Sequence, residues 1–268
     1  MYPDLTCHPK GRYPFRLGCP SFIYPEDIVP NVEKLGPFMD EIELLILESM
    51  PAERLPSTDQ IKTLLSLKEE FNITYNVHLP TDISLSGFSD VPRKLAVDIM
   101  KKVFERMHPL SPETFTLHLP FGREKNREIQ RPVWEENSLK SLEELVATGV
   151  DPQTISIETL LFPFEWLKPV VDTIHTSVCM DVGHLILTNQ DLRKMILLYG
   201  EKITMMHLHG VDRTGEIPKD HQALSYLTEG ETDTIGAMLK TYQGGISLEV
   251  FSYQNLQSSL EFFLTLMK

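Results

Sequence analysis

Eight short runs rich in β-branched and apolar residues recur along the chain, at 15–19, 41–47, 74–79, 114–119, 154–158, 177–181, 203–209 and 245–250. Their centres lie roughly 22 to 42 residues apart, the length of a strand, a helix and two loops. Helical periodicity fills the gaps. Ser57 reads as the N-cap of a helix carrying Ile61, Leu64, Leu65, Lys68 and Phe71. Asp90 takes that part before Leu95, Ile99, Val103 and Met107, and Asn189 before Leu192, Met195 and Ile196. An amphipathic helix over 256–267 closes the chain. Eight strand–helix units predict a single (β/α)8 TIM barrel over 1–268, with 1–14 as an N-terminal extension. A doubly wound open sheet is the competitor, but no strand is followed by G-x-G-x-x-G or G-x-x-x-x-G-K-[ST].

Alternation within the strands says which residues face inward. Asn76 and His78 alternate with Val77 and Leu79, and Thr116 and His118 with Phe115 and Leu117. The same holds for Thr154, Ser156 and Glu158, for Ser177, Cys179 and Asp181, and for Ser247 and Glu249. Strands covered outside by helices turn bulky apolar groups outward, so the polar parity is the lumen. That parity ends in His78, His118, Glu158, Asp181, His207 and Glu249 on six successive strands. His184 follows Asp181 by three residues, His221 lies in the loop after the seventh strand, and His209 shares the parity of His207. His8, His108 and His175 fall outside the pattern.

A lone strand histidine is ordinarily a hydrogen-bonded polar side chain, and a lone terminal carboxylate orders a loop. Eight with matched parity at one barrel mouth are not explained that way, because carboxylates buried together need compensating cations. Imidazole plus carboxylate suits Zn, Mn or Fe, and two or three divalent ions are expected.

Composition narrows the partners. The formal charge of −13 (25 Lys+Arg, 38 Asp+Glu) repels a phosphate backbone at long range, so a small-molecule substrate is expected and nucleic acid is not. No run approaches the roughly eighteen apolar residues of a membrane span, and no secretory signal is expected. Cys7, Cys19 and Cys179 form neither a disulfide framework nor a C-x-x-C site, so a reducing, cytoplasmic setting is the expectation. Oligomeric state is left open. After the fourth strand, Arg123, Lys125, Arg127 and Arg131 form a local basic cluster that could clamp an anion. Phe22, Tyr24, Phe121, Phe162, Phe164 and Trp166 fall in loops after strands, where they would line the mouth.

The donor set resembles that of the xylose-isomerase-like barrel superfamily, which includes endonuclease IV type phosphodiesterases. The resemblance implies that His78 and His118 hold one metal and that Glu158 bridges to a second, completed by Asp181, His207 and Glu249. It implies a third site at His184 and His221, where the family adds an Asp two residues before the last histidine. Lys219 stands there, leaving Asp220 or His209 to take its place. In isomerase and epimerase branches the quartet Glu158, Asp181, His207 and Glu249 holds one metal, and two glutamates shuttle a proton. The additional histidines favour phosphoester hydrolysis, with Glu158 and Glu249 as catalytic carboxylates.

The stretch from Phe15 through Gly18-Cys19-Pro20-Ser21-Phe22 to Pro25, with Tyr75-Asn76-Val77-His78-Leu79-Pro80 and Met206-His207-Leu208-His209-Gly210, is similar to the cobamide-remodelling phosphodiesterases. That likeness implies a corrinoid substrate. The nucleotide loop would be cleaved at the phosphoribosyl bond, releasing α-ribazole and leaving phosphate on the corrinoid. Arg123, Lys125, Phe22, Tyr24 and His209 are then candidate substrate contacts. The alternative is a sugar isomerase or epimerase with one divalent metal.

Overall fold

A computed structural model describes residues 3–46, 55–121 and 127–267. The chain runs β1 (Arg16–Pro20), α1 (Ile28–Leu35), β2 (Glu41–Leu45), α2 (Thr58–Phe71), β3 (Thr74–His78), α3 (Asp90–Met107), β4 (Phe115–Leu117) and α4 (Arg127–Val146). It continues through β5 (Ile155–Glu158), α5 (Lys168–Ile174), β6 (Ser177–Asp181), α6 (Val182–Leu187), α7 (Leu192–Tyr199) and β7 (Ile203–His207). A short hairpin, β8 (Gly210–Asp212) and β9 (Lys219–Gln222), precedes α8 (Glu229–Leu239), β10 (Gly245–Ser247) and α9 (Tyr253–Leu266). Eight strands close a parallel barrel in the order β1-β10-β7-β6-β5-β4-β3-β2. The expected barrel is therefore observed, with each predicted strand in its predicted place.

The helix starts follow cap chemistry. Ser57 caps α2 with a full capping box, accepting from the Gln60 N–H while the Gln60 side chain returns to the Ser57 N–H. Two expected caps move. Ser89, not Asp90, precedes α3, and α3 buries Ala96, Val97, Met100, Val103, Phe104 and Met107 while Leu95 is exposed. Asp191, not Asn189, caps α7 by accepting from the N–H groups of Arg193 and Lys194. Asn189 instead adopts φ 53°, in the left-handed region that ends helices. The predicted 203–209 strand stops at His207, and the chain then turns into the β8–β9 hairpin.

Apolar strand residues such as Ile42, Leu44, Val77, Leu117, Ile157 and Met180 are fully buried in the hydrophobic core. The polar parity points into the lumen. Lowest in the barrel, Glu41 accepts from Arg16 Nε (2.9 Å), Thr74 Oγ1 (2.8 Å) and Asn76 Nδ2 (3.2 Å). Glycines make its room: a Cβ on Gly245 would lie 2.3 Å from Glu41 Oε1. A register shift between Val178 and Cys179 pairs Asp181 with His207, so those two share one face at the top of the barrel. Beyond the β10 ladder, Glu249 is still anchored by its N–H to the Leu208 carbonyl at 3.2 Å. Among the described residues no helix is long and apolar enough to cross a membrane.

Candidate metal centre

Every donor expected at the mouth arrives there. β3 delivers His78, and His118 follows β4 by one residue. β5, β6 and β7 end on Glu158, Asp181 and His207, and α6 carries His184 in its first turn. Glu158 sits at the centre. Its Oε2 is 2.9 Å from His118 Nε2, 3.4 Å from His78 Nε2 and 3.5 Å from His207 Nδ1. Its other oxygen, Oε1, is 3.3 Å from His184 Nδ1. Asp181 Oδ2 lies 3.2 Å from His184 Nδ1 and 3.8 Å from His207 Nδ1, and Glu249 Oε2 lies 3.1 Å from His207 Nδ1 and 3.5 Å from His221 Nδ1. Asp220 Oδ2 is 3.9 Å from His184 Nε2, so the carboxylate next to Lys219 in the chain reaches the His184 side of the cluster. His8, His108 and His175 are exposed and stand apart from this cluster.

Backbone contacts set which nitrogen of each ring faces the centre. His78 Nδ1 donates to the Leu79 carbonyl (3.0 Å) and His221 Nδ1 to the Glu249 carbonyl (3.1 Å), leaving each Nε2 as an electron-pair donor. His207 is oriented by a residue that parity alone left undecided. Glu43, on β2, accepts from His207 Nε2 at 2.9 Å and from Ser247 Oγ at 2.7 Å, so His207 presents Nδ1 to the cluster. The alternation Glu41-Ile42-Glu43 was the available signal. Replacing Glu43 with Ala leaves both donors without an acceptor. We expect metal affinity to fall about 10- to 100-fold, read by competition with a chromophoric chelator, and Glu43→Gln to lose less.

His209 is fully buried, and its Nδ1 accepts from the His221 N–H at 2.9 Å while Nε2 faces Asp181 at 3.2 Å. It therefore holds His221, at φ 50°, and Asp181 in place rather than meeting a substrate. Its ring lies flat on Gly183: a Cβ there would come within 1.9 Å of it. Gly183→Ala should displace His209 and loosen the His221 loop. A thermal melt and a metal assay should show a loss of about 1–3 kcal/mol together with weaker loading. A variant that loads and melts like the parent would mean the ring relocates at no cost.

Burial would ordinarily lower the histidines' proton affinity. Here Glu158, Glu43 and Glu249 overcome it and push His78 up to about 9, and Asp181 with Glu158 push His184 up to about 10. Conversely, burial raises Glu158, but the charges of His118 and His207 hold it well below the usual carboxylate range. The cluster calls for cations. His207 Nδ1 and Glu249 Oε2 are both buried, have no hydrogen-bond partner among the described residues, and face each other across 3.1 Å. Either a proton or a metal ion belongs between them. Overlapping donor groups of suitable spacing, among them His78/Glu158/His207 and Glu158/Asp181/His184, fit divalent ions.

The remaining candidates divide. Phe22 is 47% exposed at the mouth, but Tyr24 is buried, its hydroxyl donating to the Pro3 carbonyl at 2.8 Å. Phe121 and Phe162 are buried against Trp134, and Phe164 against Tyr199, so these aromatics do not line the mouth as expected. Trp166 is half-buried, with the Arg131 guanidinium 5.3 Å above its ring. The side chains of Arg123, Lys125 and Arg127 lie outside the described residues. Cys7, Cys19 and Cys179 are unpaired thiols.

A closed eight-stranded α/β barrel with convergent histidines and carboxylates at the C-terminal mouth defines a class whose chemistry is built on strand ends. The chain belongs to the xylose isomerase-like TIM barrel family, whose profile (AP endonuclease 2) matches residues 29–266. A D-tagatose 3-epimerase-like protein superposes with a TM-score of 0.76 at 19% identity, covering 94% of this chain and 97% of that one. Endonuclease IV from Thermus thermophilus superposes at 0.71 with 18% identity, covering 94% and 98%. D-allulose 3-epimerase from Methylomonas sp. gives 0.68 at 13% identity, covering 99% of each. At such identities these likenesses concern the fold alone. An uncharacterized protein of Methanocaldococcus jannaschii is 20% identical over 157 residues, 57% of this chain and 61% of that protein's length.

Proposed function

We propose that this protein is a metal-dependent phosphodiesterase holding two or three divalent ions, with cobamides as the first candidate substrate. The observation that carries this reading is the surplus of donors. One ion takes about four to six ligands, whereas His78, Glu158, Asp181, His184, His207, His221 and Glu249 fall in overlapping groups, with His118 2.9 Å from Glu158 and Asp220 beside His184. Divalent ions held there supply Lewis acidity and an acidified water, the needs of in-line phosphoester hydrolysis. Glu158 serves as the shared carboxylate, one oxygen toward His78, His118 and His207 and the other toward His184. Glu249 closes the group at His207 and His221. Glu43 and His209 orient the ligands from behind. A net charge of −13 supports a small-molecule substrate rather than nucleic acid.

A second reading has its own observation. His207 Nδ1 lies within 3.8 Å of an oxygen from each of Glu158, Asp181 and Glu249, the constellation of a one-metal sugar epimerase. Elemental analysis of protein purified without chelator separates the two, followed by assays with Zn, Mn or Fe(II). Two or three equivalents, with cleavage of adenosylcobalamin that leaves phosphate on the corrinoid, are the expected results. One equivalent, with ketose epimerisation and no phosphoester cleavage, would overturn the hydrolase reading.

A further inference from the structure

Beside the cluster, the loops after β1 and β10 flank an open-sided cavity of about 310 Å³ lined by Phe22, Tyr24, Pro25, Phe251, Tyr253 and Gln254, among others. The two strands are neighbours in the barrel, so the loops face each other across one edge of the mouth. Tyr24 and Tyr253 stack at 6.2 Å between ring centroids and supply ring surface to the wall. Phe22 and Phe251 are 47% and 38% exposed, although burial would favour rings of this size. Phe251 also lies 5.0 Å from the ring of His221, so the wall of the cavity touches the donor cluster. The segment that brings Glu249 to the cluster brings Phe251 to the cavity two residues later.

Three of the wall's side-chain polar groups are already engaged, leaving the exposed amide of Gln254. Tyr24 donates its hydroxyl to the Pro3 carbonyl at 2.8 Å, and Tyr253 donates its hydroxyl to the Asp4 carbonyl at 3.1 Å. Ser252 Oγ accepts from the Asn255 N–H at 3.2 Å as the N-cap of α9. No charged side chain lines the cavity among the described residues, in a chain of net charge −13. A polyol entering here would find chiefly the Gln254 amide in return for the water it gives up, whereas a flat ring would meet aromatic surface.

We infer that this cavity is a binding subsite for a planar, uncharged ring of the substrate, joined to the group that reacts at the cluster. The volume is at the small end of ligand pockets and suits one ring system rather than a large macrocycle. The inference rests on the donor cluster being the reaction centre, so its test is a binding measurement that needs no turnover.

Indole serves as the ring probe and methyl α-D-ribofuranoside as the polyol probe, both followed by ligand-observed NMR on metal-loaded and chelated protein. Indole should bind both forms and the riboside neither. Phe22→Ala and Phe251→Ala should each weaken indole about tenfold, and Phe251→Trp should retain it. Indole binding untouched by both alanine variants, or a riboside that binds as well as indole, overturns the subsite. So does a parent protein that sediments as a dimer while the alanine variants sediment as monomers with indole binding unchanged, which would make the rings a contact between copies. Failure of the hydrolase reading shows separately, as absent phosphoester turnover by the unsubstituted protein, and leaves the indole result standing.

Discussion

Glu158→Gln protein should lose at least one equivalent of metal and about 100- to 1000-fold or more in turnover. Glu158 is 1% exposed and faces four imidazoles, at 2.9 Å (His118), 3.3 Å (His184), 3.4 Å (His78) and 3.5 Å (His207). Glutamine preserves the volume but removes the charge and turns an N–H₂ donor toward nitrogens that need an acceptor. Removing one partner of a buried charge pair costs about 3–5 kcal/mol, which expressed in a rate is about 10²- to 10³-fold. The metal-free variant should also melt lower, because the protonated histidines lose their common counter-charge. Elemental analysis, turnover and a thermal melt on the same preparation check all three. A fully loaded glutamine variant would show that the donors around Glu158 act independently of it.

The second large effect is a crossing of two pH profiles. In metal-free protein His78 and His184 hold protons up to about 9 and about 10, against an ordinary value of 6.5. A group whose folded value is raised contributes stability that is complete below about 6.5 and is lost as pH climbs through the folded value. For His78 alone the difference is on the order of 3 kcal/mol, and its partners share that sum through the same contacts. Glu158, Asp181 and Glu249 act in the opposite sense: their folded values are lowered, so their contribution vanishes as pH falls below the carboxylate range. Chelated protein should therefore be most stable between about pH 4.5 and 6.5, with its Tm declining toward pH 10. Metal competes with protons for the same imidazoles, so stabilisation by added metal should grow over that interval. Melts across pH 5–10, with and without chelator, test the crossing. A chelated protein whose Tm rises from pH 6.5 to 9 would mean the imidazoles are neutral without metal.

Both effects depend on residues whose convergence was legible before any coordinates. Period-two alternation assigns a side to each strand residue, and strand–helix repetition makes that side a common lumen. His78, Glu158, Asp181 and His207 could therefore be placed at one mouth from local pattern alone. The cap residues were less legible. Ser89 and Asp90, or Asn189 and Asp191, are competing hydrogen-bond acceptors within two positions, and the choice depends on where the preceding loop releases the chain. The loop aromatics were not legible at all: Phe121, Phe162 and Phe164 are as hydrophobic in a core as at a mouth, and only the packing of Trp134 and Tyr199 against them decides.

The barrel, the inward parity and the gathering of these histidines and carboxylates at one mouth all follow from spacing along a strand. How those side chains are aimed depends instead on contacts between distant segments. Glu43 reaches His207 across 164 positions of chain at 2.9 Å, and His209 fits over Gly183 because α6 and the β8–β9 hairpin meet there. Phe22 and Phe251 share a cavity because the first and last barrel strands are neighbours. Parity is a local property of the backbone, whereas distances across a lumen exist only once the sheet has closed.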